Sequence, residues 1–291
     1  MTDNSTLWGK PLLQRENERR EFVFTLADFE QVRKLIYEHA GISLSSAKQD
    51  MVYGRLAKRL REKGMKTFSD YLAALKKGDK LEWEKFVNSL TTNLTSFFRE
   101  PHHFPILGAH LKKLQGKPSI KIWCCASSTG EEPYSIAMTA VETFNSFNIP
   151  VSIFASDLDT SVLATAAKGV YAHDRIDQLP RERLSRFFVR NTGSGGETFS
   201  VRPELRRLVN FQRLNLLEPN WSVRGPLDAL FCRNIMIYFD KPTQYKILQR
   251  FAPLLDGDGL LFAGHSESFL YASDLFRLQG KTVYQLANRT R

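Results

Sequence analysis

Cysteine is scarce in this chain, with three among 291 residues. Cys124 and Cys125 are neighbours in one apolar run, and Cys232 closes another. Neither a disulfide framework nor a zinc-ligand spacing can be drawn from that placement, so a reducing cytoplasm is the expected setting. Long apolar runs are missing too: no stretch approaches the ~20 apolar residues of a membrane span. The opening M-T-D-N-S-T-L-W-G-K has no basic stretch followed by an apolar one, so no secretory signal is expected. There is no internal repeat and no low-complexity tract. No convincing Ser-His-Asp or Cys-His arrangement is found, which leaves little basis for covalent catalysis.

Hydrophobic residues make up 42% of the chain, enough for a sizeable core, and 21 phenylalanines point to packed layers. Lys and Arg number 41 against 31 acids, a net charge of +10 that favours acidic partners. Charge alone leaves nucleic acid, anionic lipid and an acidic protein surface equally open.

Residues 1–21 are polar and charged and read as a flexible arm. T-L-A-D at Thr25–Asp28 is a capping box with Asp as the third helical residue; Leu26, Phe29, Val32 and Ile36 then form one stripe that Gly41 ends. A second helix is expected from Ala47 to Lys63. Met51, Leu56 and Leu60 give its apolar side, and Lys48, Arg55, Lys58, Arg59, Arg61 and Lys63 load the rest with positive charge. Two more helices follow near Phe68–Leu75 and Leu81–Leu90, making an all-helical domain over 22–90. Residues 91–104, T-T-N-L-T-S-F-F-R-E-P-H-H-F, break the rhythm and read as a linker that touches the next domain; Pro101 suits the start of a helix.

From Ile120 onward short apolar strands (120–125, 151–156, 209–213, 227–232, 259–264) alternate with helices (131–147, 160–168, 180–188, 241–254). That pattern argues an α/β domain over 105–291 with a mostly parallel sheet covered on both faces. The closing L-F-R-L-Q-G-K-T-V-Y-Q-L reads as two antiparallel strands around Gly280. A Gly-rich stretch within about 188–210 does not fit the alternation. Gly193, Gly195 and Gly196 suit a hairpin tip, and the segment reads as a small antiparallel β insertion.

Three segments could carry chemistry at the carboxyl edge of that sheet. The first is A-S-S-T-G-E-E-P after the first strand. A dinucleotide site would place G-x-G-x-x-G here, so that backbone approaches a pyrophosphate. Gly130 is the single glycine, and Glu131 and Glu132 stand where phosphate would want bare N–H groups. Acids there suit a cofactor with a cationic part and no phosphate, such as S-adenosylmethionine; Glu131 also reads as an ordinary first-turn helix acid. The second is Asp157 after I-F-A-S, in the place of an acid that accepts ribose hydroxyls, with Asp159 as an equally good helix cap. The third is F-C-R-N-I-M-I-Y-F-D, where Arg233 and Asn234 end an apolar strand and Tyr238 follows four residues later. Asn215 sits at the exit of the strand ending with Arg213.

T-N-L-T-S-F-F-R-E, A-S-S-T-G-E-E-P-Y-S-I-A, F-A-S-D-L-D, F-C-R-N-I-M-I-Y-F-D and L-L-F-A-G-H-S-E-S together resemble the chemotaxis receptor methyltransferases, the CheR family, from about residue 22 to the end. The resemblance implies a class I S-adenosylmethionine-dependent methyltransferase fold. It implies transfer of a methyl group to glutamate side chains of chemoreceptors, with S-adenosylhomocysteine as product and no metal. Residues matching the family's cofactor contacts are Asn93, Thr95, Arg99, Glu132, Asp157, Asn215, Leu216, Arg233 and Asn234; Arg99 and Tyr238 match positions near the transferred methyl. It further implies that Arg55, Lys58 and Arg59 on the basic helix face acidic receptor surface. The insertion around Gly193, Gly195 and Gly196 would take a receptor's C-terminal pentapeptide as an added strand. A monomer is expected. A nucleic-acid methyltransferase is the rival that the charge favours, but the place of its N-P-P-Y-like motif reads R-N-I-M-I-Y. A non-catalytic adaptor is the other.

Overall fold

The structure, a computed structural model, describes residues 20–193 and 196–287. Most of the expected N-terminal arm, and Gly195 of the expected hairpin tip, lie outside the described residues. The chain divides into two compact units between Thr91 and Thr92.

The first unit is helical: α1 (Leu26–Ala40), a 3-10 turn (Ser46–Lys48), α2 (Gln49–Lys63), α3 (Phe68–Lys76) and α4 (Lys80–Leu90). Local chemistry sets these boundaries. The Thr25 hydroxyl accepts from Asp28 N–H while Asp28 accepts from Thr25 N–H, closing the capping box. Gly41 and Gly64 end α1 and α2 in the left-handed conformation that costs glycine nothing. Thr67 and Asp79 cap α3 and α4. Phe29, Val32, Ile36, Val52, Leu56, Leu60, Phe68, Leu72 and Phe86 are buried and make the core.

The second unit is built on a seven-stranded sheet. Its elements run α5 (His103–Lys113), β1 (Ile120–Cys124), α6 (Glu131–Phe144), β2 (Val151–Asp157), α7 (Thr160–Lys168), β3 (Val170–Ala172), α8 (Arg181–Phe187), β4 (Phe188–Gly193) and β5 (Gly196–Val201). They continue with α9 (Pro203–Arg206), β6 (Val209–Arg213), β7 (Leu227–Cys232), α10 (Lys241–Phe251), β8 (Leu255–Ala263), β9 (Phe276–Gly280) and β10 (Val283–Leu286). The strand order is β6-β2-β1-β7-β8-β10-β9. The first five strands of that order are parallel; β10 runs antiparallel to β8 and β9 antiparallel to β10. Alternation along β1 serves two cores at once: Ile122 and Cys124 pack in one cluster, Trp123 and Cys125 in the other. This is the α/β architecture expected from the sequence, with the antiparallel end around Gly280.

The chain goes from β1 to β2 on one side and returns to β7 on the other, so the topological switch point lies beside β1. In open α/β sheets that is where ligands settle, outside the carboxyl ends of the strands.

A separate three-stranded antiparallel sheet has the order β3-β5-β4. Gly193 faces Gly196 across the β4–β5 hairpin, and Gly196 has φ of 100°. The insertion is wider than expected: Val170–Ala172 joins it through β5, while Val209 and its neighbours already belong to the main sheet. A three-residue strand whose partner lies nearly thirty residues away leaves no periodic signal in a sequence.

Candidate active site

The segment Cys125–Gly130 leaves β1 and turns into α6. Ser128 has φ of 47° and Gly130 φ of 100°. A Cβ at Gly130 would lie 2.8 Å from the Tyr171 hydroxyl and 2.9 Å from Ala166 Cβ, so this glycine is required by a close approach and not only by its dihedral. Tyr171 donates to the Thr129 carbonyl at 2.8 Å and Ser127 N–H donates to the Ser156 carbonyl at 2.9 Å, tying the loop to its neighbours.

The two adjacent acids of this loop go different ways. Glu131 is fully buried and is held by Arg175 and by the Thr129 hydroxyl at 2.7 Å. It is a structural residue, spent on the loop itself. Glu132 points to Arg233, with Oε2 2.8 Å from Nη1. Burial pushes its pKa up against the pull of that guanidinium.

Arg233 leaves β7 with its side chain at 0% exposure, between Glu132 and Glu100, whose Oε2 is 3.6 Å from Nη2. It also donates to the Arg99 carbonyl. Glu100 accepts from His265 N–H at 3.2 Å and pairs with His265 Nδ1 at 3.0 Å. Burial works against its charge, but the His265 bonds and the Arg233 cation hold its pKa below the usual carboxylate range. One buried guanidinium thus serves two carboxylates, with the Arg99 charge also acting on Glu132. Arg233 Nε has no hydrogen-bond partner among the described residues. A buried donor left open beside two carboxylates fits a group carrying both a carboxylate and a positive charge. The amino-acid end of S-adenosylmethionine, with the sulfonium beside it, has that pattern.

Asp157 ends β2 next to this pocket. It accepts from Ser128 N–H at 2.8 Å and from Asp159 N–H at 3.0 Å. Burial pushes its pKa up to about 6, although these bonds oppose the shift. Asp159 is the helix cap the sequence offered as an alternative, binding Ser161 and Val162 N–H. It also accepts from Asn93 Nδ2 at 2.8 Å, while the Ser128 hydroxyl donates to the Asn93 carbonyl at 3.0 Å. Residues 92–100 are thereby strapped to the loops after β1 and β2. Asn215 is buried at the exit of β6; its Oδ1 accepts from Leu217 N–H at 2.9 Å, and Leu214 N–H donates to the Asp157 carbonyl at 2.9 Å. Arg250, stacked 3.6 Å over Trp221, donates to the carbonyl of buried Leu216 at 3.0 Å.

The profile of the CheR methyltransferase SAM binding domain matches residues 93–285, and that of the CheR methyltransferase all-alpha domain matches residues 27–91. The chain belongs to the CheR methyltransferase family. It is 51% identical to chemotaxis protein methyltransferase 2 of Pseudomonas aeruginosa over 92% of this chain and 96% of that protein. Identity is 50% to the chemotaxis protein methyltransferase of Escherichia coli, over 99% of both chains. A probable chemotaxis protein methyltransferase of Rhizobium etli is 38% identical over 88% of this chain and 98% of that protein. The chain is a methyltransferase with an S-adenosylmethionine-binding domain.

Of the residues expected at the site of this CheR protein, Asn93, Glu132, Asp157, Asn215, Arg233 and Asn234 stand at or beside the ends of β1, β2, β6 and β7. Asn234 takes φ of 58° and its Nδ2 is 3.4 Å from Glu100 Oε1. Thr95 offers its carbonyl to Arg175 at 3.4 Å. Arg99 is half-buried and donates from Nη1 to the Leu94 carbonyl at 2.7 Å. Tyr238, half-buried in a 3-10 turn (Met236–Tyr238), has no hydrogen-bond partner among the described residues for its hydroxyl. Glu100 was missed by sequence reasoning, although it stands next to Arg99 in the quoted T-S-F-F-R-E segment; its pairing with Arg233 spans over 130 residues. His103 is fully buried, with Nε2 at 3.0 Å from the Lys281 carbonyl, and burial lowers its pKa to about 4, which makes it a packing residue. Glu100, His102 and His103 bring potential ligand atoms within 4.8 Å of one another, but Glu100 is shared with the Arg233 cation, which disfavours a divalent ion there.

The basic face of α2 needs correction. Arg59 is not solvated: it is 7% exposed, its Nε donates to Glu82 at 3.1 Å and its Nη2 at 2.8 Å, and it also pairs with Glu62. Arg55 is half-buried and caps the end of α4, donating to the carbonyls of Leu90 and Thr91 at 3.0 and 2.8 Å. Lys58 is exposed, as is Lys48. Helical periodicity put all of these cations on one polar side; it had no means of showing that Glu82 on α4 reaches under Arg59 and Lys63.

Proposed function

We propose that this CheR-family enzyme methylates glutamate side chains on chemoreceptors, forming methyl esters. The reading rests on family membership and, within the site, on the buried Arg233 held between Glu132 and Glu100 with a donor to spare. When bound, S-adenosylmethionine supplies an activated methyl on a sulfonium, and S-adenosylhomocysteine is what remains. Glu132 and Arg233 bind the amino-acid end, with Asn93, Thr95, Arg99, Asn234 and the Asn215–Leu216 turn as further contacts. Asp157 accepts from ribose hydroxyls.

A glutamate carboxylate has an ordinary pKa of about 4.3 and is ionised at neutral pH, so no general base is required. A carboxylate oxygen forms the new O–C bond as the S–C bond breaks, and no proton moves. The chain's task is alignment and exclusion of water. Arg99 and Tyr238 orient the receptor carboxylate; Arg99 must do so without a tight ion pair, which would blunt the nucleophile.

Receptor contact outside the pocket falls to exposed Lys58 and to the small sheet at Gly193 and Gly196. There a receptor's C-terminal peptide adds as a strand along the free edge of β4 and raises local enzyme concentration. The enzyme works as a monomer in the cytoplasm, needs no metal and does not act on nucleic acid. Among the described residues no helix is long and apolar enough to cross a membrane.

Labelled S-adenosylmethionine with receptor-bearing membranes tests the reading. Label released as methanol in mild base marks a carboxyl ester. Label that stays bound in base, or that moves to added DNA or RNA, would sink it.

A further inference from the structure

Glu267 has no part in the reaction outlined above, yet its carboxylate accepts from four backbone N–H groups. It lies in G-H-S-E-S after β8, is 5% exposed and makes no ion pair among the described residues. Oε1 accepts from Ile235 N–H at 2.9 Å and Met236 N–H at 2.8 Å. Oε2 accepts from Asn234 N–H at 2.9 Å and Gly264 N–H at 2.6 Å. Three of these donors are consecutive residues of R-N-I-M-I-Y, the segment that leaves β7. Consecutive N–H groups converge on one acceptor only where the backbone abandons the extended form, and Asn234 does so at φ of 58°.

The other end of the same turn is held by Gln244 on α10. Its Nε2 donates to the carbonyls of Met236 at 2.8 Å and Phe239 at 2.9 Å, and its Oε1 accepts from the Tyr271 hydroxyl at 2.7 Å. An anion thus gathers the turn's N–H groups and an amide gathers its carbonyls. Nothing larger than hydrogen fits at Gly264, where a Cβ would lie 2.6 Å from Asn234 Nδ2 and 2.8 Å from Glu267 Oε2. A buried carboxylate without a counter-ion is costly, and a neutral side chain could fill the same space. What the carboxylate adds is a fixed direction for everything the turn carries.

We propose that Glu267 is a positioning residue for methyl transfer: it sets the turn that carries Asn234 and Tyr238, with Gln244 fixing the turn's far end. The proposal rests on the reading of Tyr238 as a residue that orients the receptor carboxylate. Displacing such a group by a fraction of an ångström lowers turnover steeply while leaving the fold in place.

Glu267→Gln places an NH2 group against two of the four N–H donors. At saturating cofactor and receptor, kcat is expected to fall at least about tenfold, the scale of one buried donor left unsatisfied. The deciding measurement is a double-mutant cycle with Tyr238→Phe. If Glu267 acts through the turn, the loss on Glu267→Gln shrinks to less than about threefold in the Tyr238→Phe background, because little is left to misplace. Losses that simply multiply would overturn the proposal. Tyr238→Phe alone tests the underlying reading: full turnover in that variant sinks the role of Tyr238 itself, a result distinct from multiplied losses. Should Glu267→Gln fail to fold, Tyr271→Phe loosens Gln244 from a half-exposed position. It is expected to lower kcat a few-fold and to show the same loss of effect in the Tyr238→Phe background; multiplied losses there also overturn the proposal.

Discussion

Two buried arginines, one in each unit, meet the same kind of surroundings and end in different states. Arg59 lies in the helical unit against Glu82 and Glu62, and every nitrogen of its guanidinium donates to a carboxylate oxygen. Tyr71 donates to Glu82 at 3.0 Å and Lys63 adds a contact at 3.3 Å, so the cluster is closed on itself. Glu82 is held below its ordinary pKa because these bonds outweigh burial. Arg233 also faces two carboxylates, but its Nε is open and Glu132 has its pKa raised by burial. Burial and charge are alike in the two places. Completeness of hydrogen bonding separates them: a satisfied cluster is scaffold, and an unsatisfied one has capacity for a ligand.

Breaking the open cluster has the larger expected effect on function. Arg233→Met should weaken cofactor binding by more than a hundredfold, about 3 kcal/mol, measured by calorimetry with S-adenosylhomocysteine. The closed cluster should answer in stability instead. Arg59→Met strands Glu82 and is expected to cost about 3 kcal/mol in urea unfolding of the helical unit, with cofactor affinity unchanged. Cofactor affinity lost with Arg59→Met and kept with Arg233→Met would invert the comparison.

Protonation sharpens it further. Asp157 has a pKa of about 6, above the ordinary carboxyl value, because it is buried. The folded chain therefore holds this proton more tightly than the unfolded chain does. The group costs stability progressively as pH rises from about 4 to about 6, and that cost persists above 6. In the proposed role of Asp157, the ionised form is the one that accepts from ribose hydroxyls on both oxygens. Cofactor affinity is thus expected to be flat above pH 7 and to fall by up to about tenfold per unit below pH 6. Asp157→Asn should lower affinity several-fold and flatten the profile between pH 5 and 7. The smallest effect belongs to the surface. Lys58→Glu should slow receptor methylation two- to fivefold at low salt, less at 0.5 M salt, with cofactor affinity unmoved. An unchanged rate would remove α2 from the receptor-facing surface.

Much of this was legible in order of residues alone. The caps at Thr25 and Asp159, the glycine closing α1, and the apolar strands from Ile120 to Ala263 are local signals, and the elements formed where those signals stand. The acid after β2 and the polar pair after β7 were readable because a strand that stops being apolar advertises its exit. Other features had no local signature. Val170–Ala172 is too short to show a period. Glu131 and Glu132 are neighbours with identical chemistry, and only their partners, Arg175 and Arg233, tell them apart. Arg59 and Lys58 are likewise adjacent, yet one is a buried staple and the other faces solvent.

By itself, the sequence determined the two-part layout, the helical unit followed by a mostly parallel α/β unit, and the family to which the chain belongs. These follow from periodicity, capping and motif order, which act over a few residues or in fixed succession. Only the tertiary structure decided which charges are spent on the protein and which remain for a ligand. That question turns on pairs such as Glu100 with Arg233, Glu82 with Arg59 and Glu267 with the turn after β7. Their partners lie between 23 and 133 positions apart in the chain, and the energy of a charge is set by what surrounds it in space.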